Sequence, residues 1–154
     1  MAQVKQRDEL LDKLPTRVHF IGIGGAGMSA IARVLHQRGV EVTGSDLKTS
    51  RIVRQLEAEH IKVFVGHDAK HIDANKPQVV VVSSAIPKEN PEYTRAEELG
   101  IPIWPRAKML ANLAVGQITT AVAGTHGKTT TSSMLAETFD RMGLNPSFVI
   151  GGVI

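Results

Sequence analysis

Apolar residues recur along this chain in two alternating rhythms. Residues 18–23 (VHFIGI) form an apolar run that stops at glycines, the pattern of a buried strand. Over residues 27–38 the period lengthens to that of a helix. Met28, Ile31, Val34 and Leu35 share one face, and Gly39 sits where a helix C-cap glycine belongs. Residues 40–43 (VEVT) predict a second strand. Thr49 or Ser50 can cap a helix over 51–59 that turns Ile52, Val53 and Leu56 inward. Residues 61–65 (IKVFV) predict a third strand. Residues 79–83 (VVVVS) are the most apolar run, as expected of a central parallel strand covered on both faces. A helix over 91–99 has Pro91 at its start and Gly100 after its end. Residues 101–103 (IPI) predict a short last strand.

This alternation implies an α/β fold with a Rossmann-like, doubly wound, mostly parallel sheet. The unit ends near Arg106, so the first domain is read as residues 1–107. A connecting helix is expected over 108–115. A second start follows, with a strand at 118–123 (ITTAVA), a glycine loop, a helix over 128–142 stopped by Gly143, and a strand at 147–150. Residues 108–154 are therefore read as the truncated start of a P-loop ATPase α/β domain.

Composition narrows the function classes. With 42% hydrophobic and 21% charged residues, the chain can bury a core and is not of the disordered type. It has no cysteine, which excludes disulfides and thiolate metal sites. The first residues lack the apolar stretch of a signal peptide, and no window approaches the roughly 18 apolar residues of a membrane span. The net charge of +3 is scattered and aromatics are 4%, which argues against nucleic acid as a partner.

Two glycine loops carry the chemistry. Gly22-Ile23-Gly24-Gly25-Ala26-Gly27 fits G-x-G-x-x-G between a strand and a helix, the context that the motif requires. Its glycines allow a tight turn and close approach of backbone to a diphosphate, which the N–H groups of the helix start would face. Asp46, 19 residues past Gly27 and just beyond the second strand, stands where dehydrogenases place a ribose-binding acid. The motif alone leaves open whether the diphosphate is that of NAD or of another nucleotide. The second loop, Gly124-Thr125-His126-Gly127-Lys128-Thr129-Thr130, departs from strict P-loop spacing, because Val122 stands where the first glycine belongs. The chemistry is still served. Gly124 and Gly127 permit a phosphate cradle, Lys128 can reach β- and γ-phosphates, Thr129 offers a hydroxyl to Mg²⁺, and Thr130 begins a helix.

Other residues have plainer readings. His67 and His71 are spaced i, i+4, but no third ligand is near in sequence, and a solvated loop or short helix is expected there. Trp104 is expected to be a packing anchor at the domain junction. Met109, Leu110 and Leu113 read as a core stripe. His126 is the one histidine expected to be functional.

The order of the two loops, with the segments between them, resembles the Mur ligase family, whose members join amino acids to UDP-linked muramic acid. The matching pieces are HFIGIGGAGMSAIA (19–32), TGSDL (43–47), VVSSAIP (81–87), NPE (90–92), PRAKMLA (105–111) and AVAGTHGKTTT (121–131). The spacing between them also matches, so the resemblance covers nearly the whole chain. GIGGAGM together with the histidine of GTHGKT resembles the branch whose substrates are UDP-N-acetylmuramate and L-alanine. The resemblance implies that Gly24, Gly25, Ala26, Gly27 and Met28 cradle the UDP diphosphate. It places Ser45 and Asp46 near the uridine, Ser84, Ala85 and Ile86 along the ligand crevice, and Asn90 and Arg106 as further contacts. It implies ATP at Gly124, Thr125, His126, Gly127, Lys128, Thr129 and Thr130, with Mg²⁺ on Thr129. Lys128 would act catalytically by offsetting charge on the transferring phosphoryl group. ATP would activate the muramate carboxylate as an acyl phosphate for attack by the L-alanine amine, in the cytoplasm. The family's enzymes have three domains, so this chain alone is expected to be inactive. It is also expected to self-associate through the edges of the strands at 118–123 and 147–150, leaving Ile118, Val122, Val149, Ile150 and Val153 partly exposed. The alternatives are an NAD(P)-dependent oxidoreductase and a non-catalytic nucleotide-binding module.

Overall fold

The computed structural model describes residues 13–151. Five strands, β1 (Arg17–Ile21), β2 (Glu41–Asp46), β3 (Lys62–Val65), β4 (Val79–Val82) and β5 (Ile103–Pro105), form one sheet in the order β3-β2-β1-β4-β5, every pairing parallel. The helices among the described residues are α1 (Ala26–Gln37), α2 (Arg51–Ala58), α3 (Ala69–Asn75), α4 (Pro91–Glu98), α5 (Arg106–Ala114) and α6 (Lys128–Arg141). The first two crossovers run outward from β1 through β2 to β3. The third returns past β1 to β4. The strand order therefore reverses between β1 and β4, the place where open α/β sheets bind ligands beyond their carboxyl ends.

Strand alternation decides which side chains serve each layer. On one face Val18 and Phe20 of β1, Val42 of β2 and Val79 and Val81 of β4 pack with Ile31 and Leu35 of α1, Leu56 of α2, and Met109 and Leu113 of α5. On the other, Ile21 and Val80 pack with Ile72 of α3 and Ala96 of α4. The cap chemistry agrees with the sequence. Ser50 accepts a hydrogen bond from the Val53 amide at 3.2 Å and starts α2.

The second face is apolar only in part. Glu92, in the first turn of α4, is fully buried. Four side chains converge on its carboxylate. His19 Nε2 of β1 lies 3.0 Å and His71 Nδ1 of α3 2.7 Å from Oε1, while His67 Nδ1 lies 2.8 Å from Oε2, and the Ser45 hydroxyl of β2 donates to Oε2. The far nitrogen of His19 meets Thr43 Oγ1 at 2.8 Å. Phe64 stacks on His71 with centroids 4.1 Å apart. A buried carboxylate is stable only when its lone pairs are met by donors, and here they come from four successive segments of the chain. Burial raises the Glu92 pKa, but the bond to His19 and the charge on that ring, with the Ser45 and His71 bonds, outweigh it and hold the carboxyl at about 2 against an ordinary 4.5.

The structure corrects the sequence reading at several places. β2 extends to Asp46, so Ser45 and Asp46 lie in the strand and not beyond it, because the ladder to β1 continues through Ile21–Ser45. The last strand is shifted to 103–105, pairing Trp104 with Val81 and burying the indole at 1% exposure. The short helix expected around His71 is present as α3, but His67 and His71 are partly buried and turn onto Glu92. The segments 118–123 and 147–150 form no strands. A parallel strand needs ladder partners, and none is placed beside them. Strand-edge pairing between copies thus has no strand to start from. Ile118 is fully exposed as expected, but Ile150 is 8% exposed and Val149 packs on the first core cluster. Val153 lies outside the described residues. The helix expected as a connector starts at Arg106 and gives Met109 and Leu113 to the sheet's core.

The Glu92 carboxylate sets an acid limit on this fold. A group whose folded pKa is depressed contributes stability above its unfolded value, about 4.5, and loses it as pH falls toward 2. The contribution at neutral pH is on the order of 3 kcal/mol. Glu92→Gln should therefore be markedly less stable than the wild type at pH 6 in urea denaturation. The gap should close as the pH is lowered to about 2.5. A gap that stays constant over that range would show that the ionised carboxylate contributes nothing.

Candidate functional site

The first glycine loop is built on β2. β1 ends at Ile21, and Gly22 turns the chain with φ +84°, a conformation that side chains disfavour. The Gly22 and Ile23 amides then both donate to the Ser45 carbonyl, at 2.8 and 3.0 Å. The Gly24 amide donates to Asp46 Oδ2 at 2.8 Å, so close that a Cβ on Gly24 would lie 2.8 Å from that oxygen. Two consecutive residues at the end of β2 thus fix three consecutive loop amides.

Beyond that clamp the loop opens. Gly25 is the N-cap of α1, with no side-chain cap and no acid in the first turn. Gly25 and Ala26 are exposed. The first amides of α1 therefore face outward without a side chain of their own helix to satisfy them, the arrangement that favours an anion. Arg106, the first residue of α5, lays its guanidinium over Gly27: a Cβ there would fall 2.0 Å from Nη1. A cation and a helix N-terminus thus meet at the switch point. Across the crevice, the turn after β4 brings Ile86 against Gly22, its Cδ1 3.4 Å from where a Cβ would stand. Ser84 and Ala85 are exposed on that same turn.

Some sequence-predicted residues serve this site from beneath. Met28 is 2% exposed and its side chain belongs to the core. Ser45 is fully buried, its hydroxyl on Glu92 and its carbonyl under the loop. Asn90 is the N-cap of α4, its Oδ1 accepting from the Glu92 and Tyr93 amides at 2.9 and 3.3 Å. Asp46 spends one oxygen on the loop, unlike an acid turned outward to a ribose. Ser45, His67 and Glu92 do not form a hydrolytic triad. Ser45 Oγ and Glu92 Oε2 both face the same ring nitrogen, Nδ1 of His67, so no second nitrogen relays a proton between them. Among the described residues no group of His, Cys, Asp and Glu is arranged to hold a metal ion.

His19, His67, His71 and Glu92 were not legible as a cluster. The i, i+4 histidine pair was the available signal, but its partner stands 21 residues after His71 and is reached only through the fold. A histidine inside an apolar strand was the second signal, since a buried imidazole needs a polar partner.

The second glycine loop is exposed from Gly124 to Thr130. Gly127 is left-handed at φ +79° and is the N-cap of α6, again without a side-chain cap. Lys128 opens that helix and folds its ammonium back to the Gly124 carbonyl. Thr129 and Thr130 follow in the first turn. No helix among the described residues is long and apolar enough to cross a membrane.

Known proteins share this sequence and fold. UDP-N-acetylmuramate–L-alanine ligase of Streptomyces avermitilis is 56% identical over 142 residues, covering 90% of this chain and 30% of that protein. The enzyme of the same name from Rubrobacter xylanophilus is 52% identical over 136 residues, covering 88% and 30%. The crystal structure of UDP-N-acetylmuramate-alanine ligase from Thermotoga maritima superposes with a TM-score of 0.82 at 33% identity, over 90% of this chain and 32% of that one. That of UDP-N-acetylmuramate:L-alanyl-gamma-D-glutamyl-meso-diaminopimelate ligase from Neisseria meningitidis gives 0.80 at 38% identity, over 90% and 44%. The chain thus spans about 30% of the length of the curated relatives that it matches. The family model described as Mur ligase family, catalytic domain, matches residues 17–117, and the chain belongs to the Mur ligase family.

Proposed function

We propose that this chain is the nucleotide-binding portion of an ATP-dependent ligase that adds L-alanine to UDP-N-acetylmuramate in the cytoplasm, the first loop taking the UDP diphosphate and the second taking ATP. The observation that carries it is the uncapped start of α1 behind exposed Gly25 and Ala26, with the Arg106 guanidinium over Gly27. Helix amides and a nearby cation together suit a diphosphate. Relatives more than 50% identical carry the name of that ligase. The uridine and sugar would lie along the crevice between the first loop and Ser84, Ala85 and Ile86. Under an NAD reading Asp46 would hold a ribose, whereas one of its oxygens already holds the Gly24 amide. Residues 1–107 would form the UDP-sugar domain and 108–154 the start of the ATP domain, with α5 packed on the former.

The second loop fits a triphosphate by the same physics. Gly127 leaves the start of α6 uncapped, Lys128 is already turned toward the loop's mouth, and Thr129 stands exposed where a hydroxyl could ligate Mg²⁺. ATP would supply the phosphoryl group that activates the muramate carboxylate. Lys128 would offset the charge on it by position, with no covalent role.

A thermal-shift titration tests the first loop. UDP-N-acetylmuramate at about 100 times its Kd should stabilise the chain by roughly 2.7 kcal/mol, with no need for ATP or Mg²⁺. A shift with NADH and none with the UDP-sugar would sink the reading. Gly25 is the informative position for substitution, because a Cβ there meets nothing closer than 3.6 Å. Gly25→Val should abolish the shift while costing the free chain only the roughly 1 kcal/mol of a poorer N-cap. Gly24→Val and Gly27→Val would instead strike Asp46 and Arg106.

The exposed second loop generates another expectation. Phosphoryl transfer is favoured in a site that excludes water, and Gly124–Thr130 lie open. The 154-residue chain should bind ATP weakly and release no phosphate in response to L-alanine and UDP-N-acetylmuramate. Phosphate release that depends on both substrates and is lost in Lys128→Ala would show that this segment is already competent.

A further inference from the structure

The buried Glu92 cluster and the open glycine loop meet at one residue. Ser45 stands in β2 between them. Its side chain points to the face that holds α3 and α4, where the hydroxyl donates to Glu92 Oε2 and lies 2.9 Å from His67 Nδ1. Its carbonyl points along the sheet, where it accepts both the Gly22 and the Ile23 amides. We propose that Glu92 is a positioning residue for the glycine loop, acting through Ser45 on the two amides that set the loop's first turn.

The physical case rests on where β2 ends. Its ladder with β1 closes at Ile21–Ser45 and its ladder with β3 at Asp46–Val65. Leu47, immediately beyond, is exposed. A strand end with few further ladder bonds is free to fray. Glu92 opposes that from a rigid base, the first turn of a helix whose cap, Asn90, binds the Glu92 amide itself. The carboxylate also gathers His67 after β3, His71 on α3 and His19 on β1. Segments on one side of the switch point are thereby tied to the helix that follows β4 on the other. Farther out, Asp73 of α3 pairs with Arg95 of α4 at 2.8 Å, at the protein surface. The titratable groups facing Glu92 are thus His19, His67 and His71, with Ser45 as the neutral donor and Thr43 behind His19. Hydrogen bonds to a charged acceptor are short and strong, so a single carboxylate can hold Ser45 at one height beneath the loop.

This inference rests on the diphosphate reading of the first loop for its affinity measurement, but not for its structural one. The test is a double-mutant cycle with Ser45→Ala and Glu92→Gln in the full chain. Each single variant should bind UDP-N-acetylmuramate roughly tenfold more weakly, the ratio that one charge-assisted hydrogen bond carries. The double variant should bind no more weakly than Ser45→Ala alone. In parallel, hydrogen exchange at the Gly22 and Ile23 amides should accelerate in both single variants while that of Val81 in the central strand does not. Additive losses of affinity, or unchanged exchange at Gly22 and Ile23, would overturn the proposal. If the wild type does not bind UDP-N-acetylmuramate, the diphosphate reading fails, and the exchange measurement still decides this one. If Glu92→Gln does not fold, Ser45→Ala decides it, since it removes a single hydroxyl from the same carboxylate.

Discussion

A carboxylate sealed from water must find its donors inside the protein, and the need for them constrains everything around it. Glu92 has no exposure, and it finds donors on β1, β2, the turn after β3 and α3. Those segments have to arrive together for the charge to be tolerated, because leaving any donor out exposes the group to a desolvation cost of several kcal/mol per ion. The polar half of the second face is therefore as demanding of geometry as the apolar half. It discriminates against shifted registers more sharply, since a one-residue slip of β2 would send Ser45 and Thr43 to the opposite face.

That same end of the sheet shapes the nucleotide crevice. β2 supplies the Ser45 carbonyl and the Asp46 carboxylate to three loop amides, and the amides that follow are left outward at the start of α1. The loop thus divides into an inner half that is satisfied by protein and an outer half that is available to a ligand. Glycine is required in the inner half by the turn at Gly22, while at Gly27 it leaves room for the Arg106 guanidinium to lie against the backbone. The cation comes from the far side of the sheet's reversal, after β5. The crevice therefore depends on the closure of the whole sheet and not on the loop alone.

The segment after α5 has a different character. α6 and its loop are well-formed locally, with Gly127 before and Gly143 after the helix, both at positive φ. Yet Met134, Met142, Leu144 and Phe148 are exposed, and only Ala136 of the helix is buried. A helix makes its backbone hydrogen bonds within itself, whereas a strand has none of its own to form with. This is why α6 is present and the two flanking segments are not strands. Val149 still packs on the chain's own core, and Ile150 is buried.

Much of this protein was legible in its sequence because the determining interactions are local or periodic. The strand–helix alternation, the cap at Ser50, the proline at the start of α4 and the glycine after α1 are all read from neighbours within a turn or two. Both glycine loops, and through their pairing the family, follow from short motifs in the right context. The tertiary structure alone decided the partners of groups far apart in sequence. It carried β2 on to Asp46, moved the last strand so that Trp104 entered the core, and turned the histidines at 67 and 71 onto Glu92. It also gave Ser45 and Asp46 to the loop's own amides, and laid Arg106 over Gly27. In each case the reason is the same. Periodicity reports which face of an element is buried, but hydrogen-bond partners 22 to 73 residues apart in the chain are chosen only when the sheet brings them within 3.0 Å.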